Sequence, residues 1–225
     1  MTTEIICSLI EAGGGILSAI ISTTGVIIAA LIARKVVKND IKPILKSYSD
    51  ESHNPSNLIN KAKHSIIIVT ASGLKLIPRV KSDIEKKLSA GIQIRFLYLT
   101  LDEFLRMEKY LHGDKGKGKI QYNLLTDTLR ELSQKYRNQF QVRTFSAPMS
   151  ASYIGIDILS DLGKVSSNSV IQVMQYQYMI NASASPIISL YPGRDAEHFD
   201  RTVETIQKMW ETGIEVPLNI SDDSH

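Results

Sequence analysis

The side chains that could do chemistry are few, and the first candidate is a run rich in glycine and lysine. Residues 113–119 read G-x-x-x-x-G-K, which is the beginning of a phosphate-binding P-loop. A P-loop continues with Ser or Thr, whose hydroxyl holds magnesium, but Ile120 follows here. A strand should also precede the loop, whereas the preceding residues have helical spacing. We therefore interpret residues 113–119 as a basic loop and not as a nucleotide site.

Histidine, cysteine and serine give no reaction centre either. The five histidines lack the spacing of metal ligands and Cys7 is the single cysteine, so we expect neither a metal site nor a cofactor. No G-x-S-x-G sequence occurs, and no serine has a nearby histidine with an orienting carboxylate, so serine hydrolysis is not supported. A single cysteine also excludes a disulfide-stapled secreted module and fits a reducing compartment.

The composition is that of a folded protein, but its apolar residues are unevenly placed. The chain of 225 residues is 43% hydrophobic and 22% charged, with a net charge of +3. These values exclude a collagen or a disordered acidic tail. Residues 13–33 nevertheless contain no charged, amide or proline residue. As a helix they would be roughly 31 Å long, which matches a hydrocarbon core of about 30 Å, so we predict a transmembrane helix.

The residues on either side of this apolar run decide between a membrane span and its alternatives. A signal peptide carries positive charge before its apolar part, whereas residues 1–12 contain no Lys or Arg. A buried core helix is the other alternative. Basic residues follow the span directly, and by the positive-inside rule they place residues 1–12 outside the cytoplasm and the rest inside. Four of them are expected to contact lipid headgroups: Arg34, Lys35, Lys38 and Lys42.

Small residues recur along one face of the predicted span at spacings of three and four. Small faces let helix backbones approach closely in a lipid bilayer and favour self-association. Such residues are also common in membrane helices that only anchor a protein. We expect a homo-oligomer of a single-pass inner (plasma) membrane protein, with an oligomerisation face formed by Gly14, Ser18, Ser22, Gly25, Ala29 and Ala33.

The chain after the span reads as a linker and one α/β domain. Residues 34–55 form a basic juxtamembrane helix and linker, residues 56–213 the cytoplasmic domain, and residues 214–225 a C-terminal tail. Apolar β-branched runs predict strands at 65–70, 92–99, 140–145, 152–159, 169–178 and 185–191. Helical spacing predicts helices at 56–63, 72–90, 101–112, 120–138 and 195–212. The first strand, helix and strand indicate a parallel βαβ unit.

Three runs of this domain together resemble a known family. They are NLINKAKHSIIIVT at 57–70, KKLSAGIQIRFLYL at 86–99, and the terminal helix with F-x-x-x-x-x-x-I-x-x-x-W at 199–210. Their order and spacing resemble the phospholipase D-like superfamily in its single-unit bacterial form, over most of residues 57–213. The resemblance implies an α/β sandwich with a mixed, largely parallel sheet.

The catalytic element of that superfamily is H-x-K-x-x-x-x-D, in which histidine attacks phosphorus, lysine stabilises the phosphoryl oxygens and aspartate holds the element in place. Alignment of its aspartate with Asp157 puts Ser150 at the histidine and Ser152 at the lysine. A serine without a base cannot replace the imidazole, and its neutral hydroxyl cannot supply the charge of lysine. The residues Ser167 and Asn168 fall where the superfamily has G-S-x-N, whose polar groups contact phosphate.

The resemblance therefore implies a phosphate-recognising fold without catalytic residues. We expect a membrane-anchored, non-catalytic sensor or effector that resembles bacterial antiphage membrane effectors. Binding of a nucleotide, another phosphate ligand or a cytoplasmic protein sensor would drive oligomerisation and disrupt the inner membrane. Two alternatives remain open: a phosphodiesterase or nuclease with a divergent site around Asp157, and a membrane scaffold that recruits a cytoplasmic partner.

The small face of the predicted span is open to a direct test. Replacement of Gly25 and Ala29 by Leu should abolish assembly in the membrane, because the larger side chains keep the helix backbones apart. Chemical crosslinking of the full chain in membranes measures this. Crosslinking that is unchanged in the double variant would contradict the small-face interpretation.

Overall fold

The computed structural model describes residues 54–112, 118–159, 161, 165, 167–177 and 185–217. The span predicted at 13–33, its lipid-contacting basic residues and most of the loop at 113–119 lie outside these residues. Across the described ranges, no helix combines the length and the apolar character that crossing a membrane requires.

Seven strands form one sheet in the order β6-β5-β4-β1-β2-β3-β7. The strands are β1 (Ser65–Thr70), β2 (Gln93–Leu99), β3 (Phe140–Phe145), β4 (Ala151–Ile156), β5 (Val170–Gln175), β6 (Ile187–Leu190) and β7 (Ile214–Glu215). The described helices are α1 (Pro55–Ile59), α2 (Ile77–Ser89), α3 (Leu101–His112), α4 (Gly118–Lys135) and α5 (Ala196–Glu211). The α/β class and the mixed sheet predicted above are confirmed.

The sheet is only partly parallel, which corrects the largely parallel sheet expected from the resemblance. The pairs β1–β2 and β2–β3 are parallel, and the pairs β1–β4, β4–β5, β5–β6 and β3–β7 are antiparallel. The chain leaves β3 at the carboxyl end of the parallel strands and reaches β4 through residues 146–150. So few residues extend at most roughly 20 Å, which is enough to cross β2 and β1 along that edge but not to return to the other end. Strand β4 must therefore run antiparallel to β1.

One face of the sheet is covered by α2 and α4. The register puts Ile68 beside Phe96, and Tyr98 lies one pleat further along the same face. The Tyr98 hydroxyl lies 3.2 Å from that of Thr126 on α4, and its ring centroid lies 5.5 Å from that of Tyr122. Helix α2 lies beside α4, since the hydroxyls of its Ser89 and of Tyr136 are 3.1 Å apart.

Helix α5 covers the opposite face of the sheet through its one tryptophan. Arg95 on β2 and Arg143 on β3 project to that face, and their guanidinium carbons lie 5.3 and 4.7 Å from the centroid of the Trp210 ring. Arg143 also donates a hydrogen bond of 2.9 Å to the Trp210 carbonyl. Trp210 is buried, so the two cations are held against its ring in a largely desolvated place, where such contacts are strongest.

The short helix α1 is fastened to α2 by side chains from both helices. The carboxylate of Asp83 accepts hydrogen bonds from Ser56 Oγ and, at 2.8 Å, from Asn60 Nδ2. Lys87 Nζ donates to the carbonyls of Asn60 and Ala62, both at 2.8 Å. Asn60 is the C-cap residue of α1, so Lys87 binds the backbone at the C-terminal end of this helix.

The helix predicted at 72–90 begins at Ile77 instead of Ser72. Gly73 has a φ of +70°, which lies outside the helical region. Pro78 occupies the first turn, where its missing N–H costs nothing. Residues 72–76 therefore form a turn between β1 and α2. At the other end of the chain, β7 lies at residues assigned above to the tail.

The outer edge of β6 is protected by Arg194. Its Nη2 donates a hydrogen bond of 2.6 Å to the carbonyl of Ser189, and its Nε donates to the carboxylate of Asp195. A charged side chain on an edge strand discourages pairing with the strand of another molecule.

Replacement of Trp210 by Ala should destabilise the domain by about 3–5 kcal/mol, because it removes the buried ring that both arginines contact. Urea denaturation of the full chain, followed by circular dichroism, measures this loss. Glu211→Ala changes the exposed neighbour in the same helix and should stay within about 0.5 kcal/mol. Equal stability of the two variants would contradict the role of the Trp210 contact.

Candidate functional site

Asp157 follows β4 directly and holds that strand against the beginning of β1. Its carboxylate accepts hydrogen bonds from the backbone N–H groups of Lys63 (3.1 and 3.3 Å), His64 (2.8 Å) and Ser65 (2.9 Å). Its own N–H donates to the Ser65 carbonyl at 2.9 Å. The residue is buried and has a φ of +54°, a strained conformation that the surrounding hydrogen bonds stabilise. Both carboxylate oxygens of Asp157 therefore accept hydrogen bonds from backbone N–H groups.

The five predicted site residues fall at opposite ends of β4. Ser152 lies near its beginning, beside the carboxyl end of β1, and Asp157 follows its end. Five residues of strand separate the two by roughly 16 Å. Ser167 and Asn168 are exposed and lie on the side of Asp157, whose carbonyl accepts a 2.7 Å hydrogen bond from Ser169 Oγ. The structure therefore does not bring the five residues into one site.

A cavity of about 620 Å³ opens at the carboxyl end of β1. Ser152 lines it, and so do residues from β1, β4 and β5 on its floor and from the turn at 72–76, α2, α3 and α4 on its walls. Most of the lining side chains are apolar. The size and the lining are those of small-molecule sites in proteins, which combine apolar walls with a few polar groups.

A cluster of hydroxyls lies on the floor of the cavity around Tyr176. The Tyr176 hydroxyl accepts a hydrogen bond of 2.9 Å from the N–H of Ala71. Burial raises the pKa of Tyr176 above its usual value, and hydrogen bonds with Thr70 and Ser152 oppose this only in part. The phenol is therefore protonated at neutral pH. The hydroxyls of Thr70 and Ser152 thus contact a neutral Tyr176 hydroxyl.

Charged side chains occur only on the walls and at the mouth of the cavity. Lys75 and Arg79 line it and are exposed to solvent. Neither makes an ion pair with any other residue that the structure describes. Glu108 on α3 is half-buried, and its carboxylate lies against Gly118, where a Cβ would collide with it. A carboxylate at the first residue of α4 is favoured by the positive end of the helix dipole.

The described lining of the cavity contains few groups that could act in nucleophilic or acid–base catalysis. It has no histidine and no cysteine, and Glu108 is its one carboxylate. Ser150 is exposed, and its part is structural, since its carbonyl accepts a 2.9 Å hydrogen bond from the Tyr176 N–H. No cluster of metal-ligating side chains occurs in the described ranges. The described lining suits the binding of a small molecule.

Sequence reasoning missed Tyr176, Thr70 and the stripe Phe104, Met107 and Leu111 on α3. Tyr176 ends a strand of alternating pattern, and only the antiparallel register of β5 brings it beside Ala71. The three α3 residues recur at the helical spacing that is typical of any helix packed against a core. No signal in the sequence distinguishes a stripe that lines a cavity from one that fills a core.

Comparison with solved structures gives distant matches, among them the following two. No family model and no curated protein matches the chain. TrmBL2, an archaeal chromatin protein with a novel mode of DNA binding, has a TM-score of 0.47 at 10% identity, over 95% of this chain and 69% of its own. The phosphatidylserine synthase of Haemophilus influenzae Rd KW20 has a TM-score of 0.48 at 11% identity, over 73% of this chain and 36% of its own. Likeness at this level carries no conclusion about function.

Replacement of Asp157 by Ala should lower the free energy of unfolding by about 3 kcal/mol or more. The buried N–H of Ser65 loses its acceptor at about 1–3 kcal/mol, the partly buried N–H groups of Lys63 and His64 lose theirs at a smaller cost, and alanine is strained at positive φ. Asn keeps one acceptor oxygen and tolerates this conformation, so Asp157→Asn should lose less. Urea denaturation of the full chain measures both.

The matched control is Asp200→Ala, which removes an exposed carboxylate on α5 and should change the stability by no more than about 0.5 kcal/mol. If Asp157→Ala were as stable as this control, the structural role of Asp157 would be excluded.

Proposed function

We propose that residues 54–217 form a non-catalytic ligand-recognition domain of phospholipase D-like architecture, and that its ligand binds in the cavity at the carboxyl end of β1. The observation that carries the proposal is the position of Ser152. This residue aligns with the catalytic lysine of the superfamily and lies in the cavity, within a neutral group of hydroxyls. A site that kept its pocket and lost its charge and nucleophile is suited to recognition.

The position of Asp157 supports the architectural part of the proposal. The resemblance assigns the aspartate of the catalytic element the task of holding that element in place, and the carboxylate of Asp157 binds three backbone N–H groups. The same side chain argues against the enzyme alternative, because its oxygens are occupied and it lies at the end of β4 away from the cavity.

The membrane part of the proposal rests on the sequence. Residues 13–33 would anchor the domain at the inner membrane, and the small face that begins at Gly14 would pack against other copies when the domains assemble. Assembly follows from ligand binding only if the ligand has higher affinity for the assembled state than for the free chain. The functional outcome that we propose is disruption of the membrane in a bacterial defence response.

The absence of catalysis is directly testable. The full chain, reconstituted in liposomes, should hydrolyse neither bis(p-nitrophenyl) phosphate nor the liposome phospholipids above the rate of empty liposomes. The reason is that the cavity offers no nucleophile activated by a base. Release of p-nitrophenol and of lipid headgroup measures the two reactions.

Ser152→Ala serves as the control, since it removes one hydroxyl from the cavity without a change in charge. Hydrolysis that the full chain supports and this variant loses would overturn the proposal and favour a divergent phosphodiesterase.

A further inference from the structure

The cavity has an apolar interior that spans several elements. Ile68 and Ile154 form part of its floor, Ile77 lies on one wall, and Met107 and Leu125 lie on the walls opposite the sheet. Aromatic rings and hydrogen-bonding groups, which a nucleobase needs on its faces and edges, are a minority of this lining. The interior therefore matches a flexible aliphatic group better than a planar polar one.

The polar groups on the floor of the cavity around Tyr176 have hydrogen-bond partners within the protein. The Tyr176 hydroxyl contacts those of Thr70 and Ser152, and the Ala71 N–H is already paired with Tyr176. An aliphatic ligand buried against this group leaves the Ala71 N–H and the Tyr176 oxygen with partners in the protein, which lowers the penalty for covering them.

The apolar lining continues from the cavity to the surface along α4. Leu124 lines the cavity and is 64% exposed, and Ile120, one turn earlier on the same face, is 68% exposed. Large apolar side chains exposed side by side at the mouth of an apolar cavity are costly in water unless they contact something apolar. They give an aliphatic ligand a continuous path into the cavity.

The two cations among the described lining residues lie on the side of the turn at 72–76 and α2. Lys75 and Arg79 are exposed there, without an ion-pair partner in the part of the chain that the structure describes. Glu108 lies on α3 against the beginning of α4, so an anionic group is repelled from that wall and attracted to Lys75 and Arg79.

We propose that the cavity binds a single linear alkyl chain that ends in an anionic group, with the chain between α2, α3 and α4 and the carboxylate or phosphate at Lys75 and Arg79. This inference rests on the proposed recognition function and names the class of its ligand. A carboxylate and a phosphate offer the same charge to the two cations, so both belong to the class.

The test is photolabelling of the full chain in lipid nanodiscs with a fatty acid that carries a diazirine on its alkyl chain. Mass spectrometry should find the label on peptides that contain residues 104–111 and 121–128. Unlabelled decanoate, dodecanoate and tetradecanoate should compete, each with a free aqueous concentration for half-competition about fourfold lower per added methylene until the cavity is full. Dodecyl phosphate should compete as well, and inorganic phosphate should not.

The charge at the mouth is tested with two variants of equal net charge. Lys75→Glu should raise the dodecanoate concentration for half-competition about tenfold or more and leave that for dodecanol unchanged. Lys86→Glu, at an exposed site in the last turn of α2, should change neither. Both side chains are exposed, so both variants should fold, and partition of the probe into the nanodisc is the same for both.

Label found only outside these peptides, or competition that is indifferent to chain length, would overturn the alkyl ligand. Protection of the cavity peptides from hydrogen exchange by AMP, with no alkyl labelling, would overturn it too but leave the recognition function intact. Phosphodiesterase activity lost in Ser152→Ala would overturn the recognition function itself.

Discussion

The backbone at residues 63–65 turns three N–H groups toward one point, and the carboxylate of Asp157 occupies that point. The Ser65 N–H is buried and those of Lys63 and His64 are partly buried, so their need for an acceptor favours one register between the beginning of β1 and the end of β4. Strands β5 and β6 pair outward from β4 and inherit this register. The same constraint thus places Tyr176 beside Ala71 at the far end of the strands, where the cavity opens.

Most of the strands could be predicted, because β-branched runs such as Ser65–Thr70, which is buried on both faces, are typical of buried strands. The direction of each strand could not be predicted, because it depends on where the chain crosses the sheet. Residues 146–150 stay at the carboxyl edge, so β4 returns antiparallel although the preceding strands are parallel. The beginning of α2 was also missed, since the turn before it depends on the left-handed backbone of Gly73.

The candidate site was only partly accessible from the sequence. The alignment of a degenerate catalytic element found Ser152 and Asp157, because a fixed spacing along one strand survives the loss of chemistry. It could not show that the two residues face different ends of the domain. The walls of the cavity come from α2, α3 and α4, whose apolar stripes are typical of any core. Whether such stripes meet or leave a gap depends on helix separation, which no local pattern encodes.

The attachment of α1 to α2 gives the domain a mechanical property. Asn54 caps α1, Pro55 lines the cavity, and α1 is held to α2 through Asp83 and Lys87. A pull or a twist applied to the chain at residue 54 is therefore carried by these hydrogen bonds into the helix that forms one wall of the cavity. Helix α1 and the α2 wall of the cavity are thus held together as one unit.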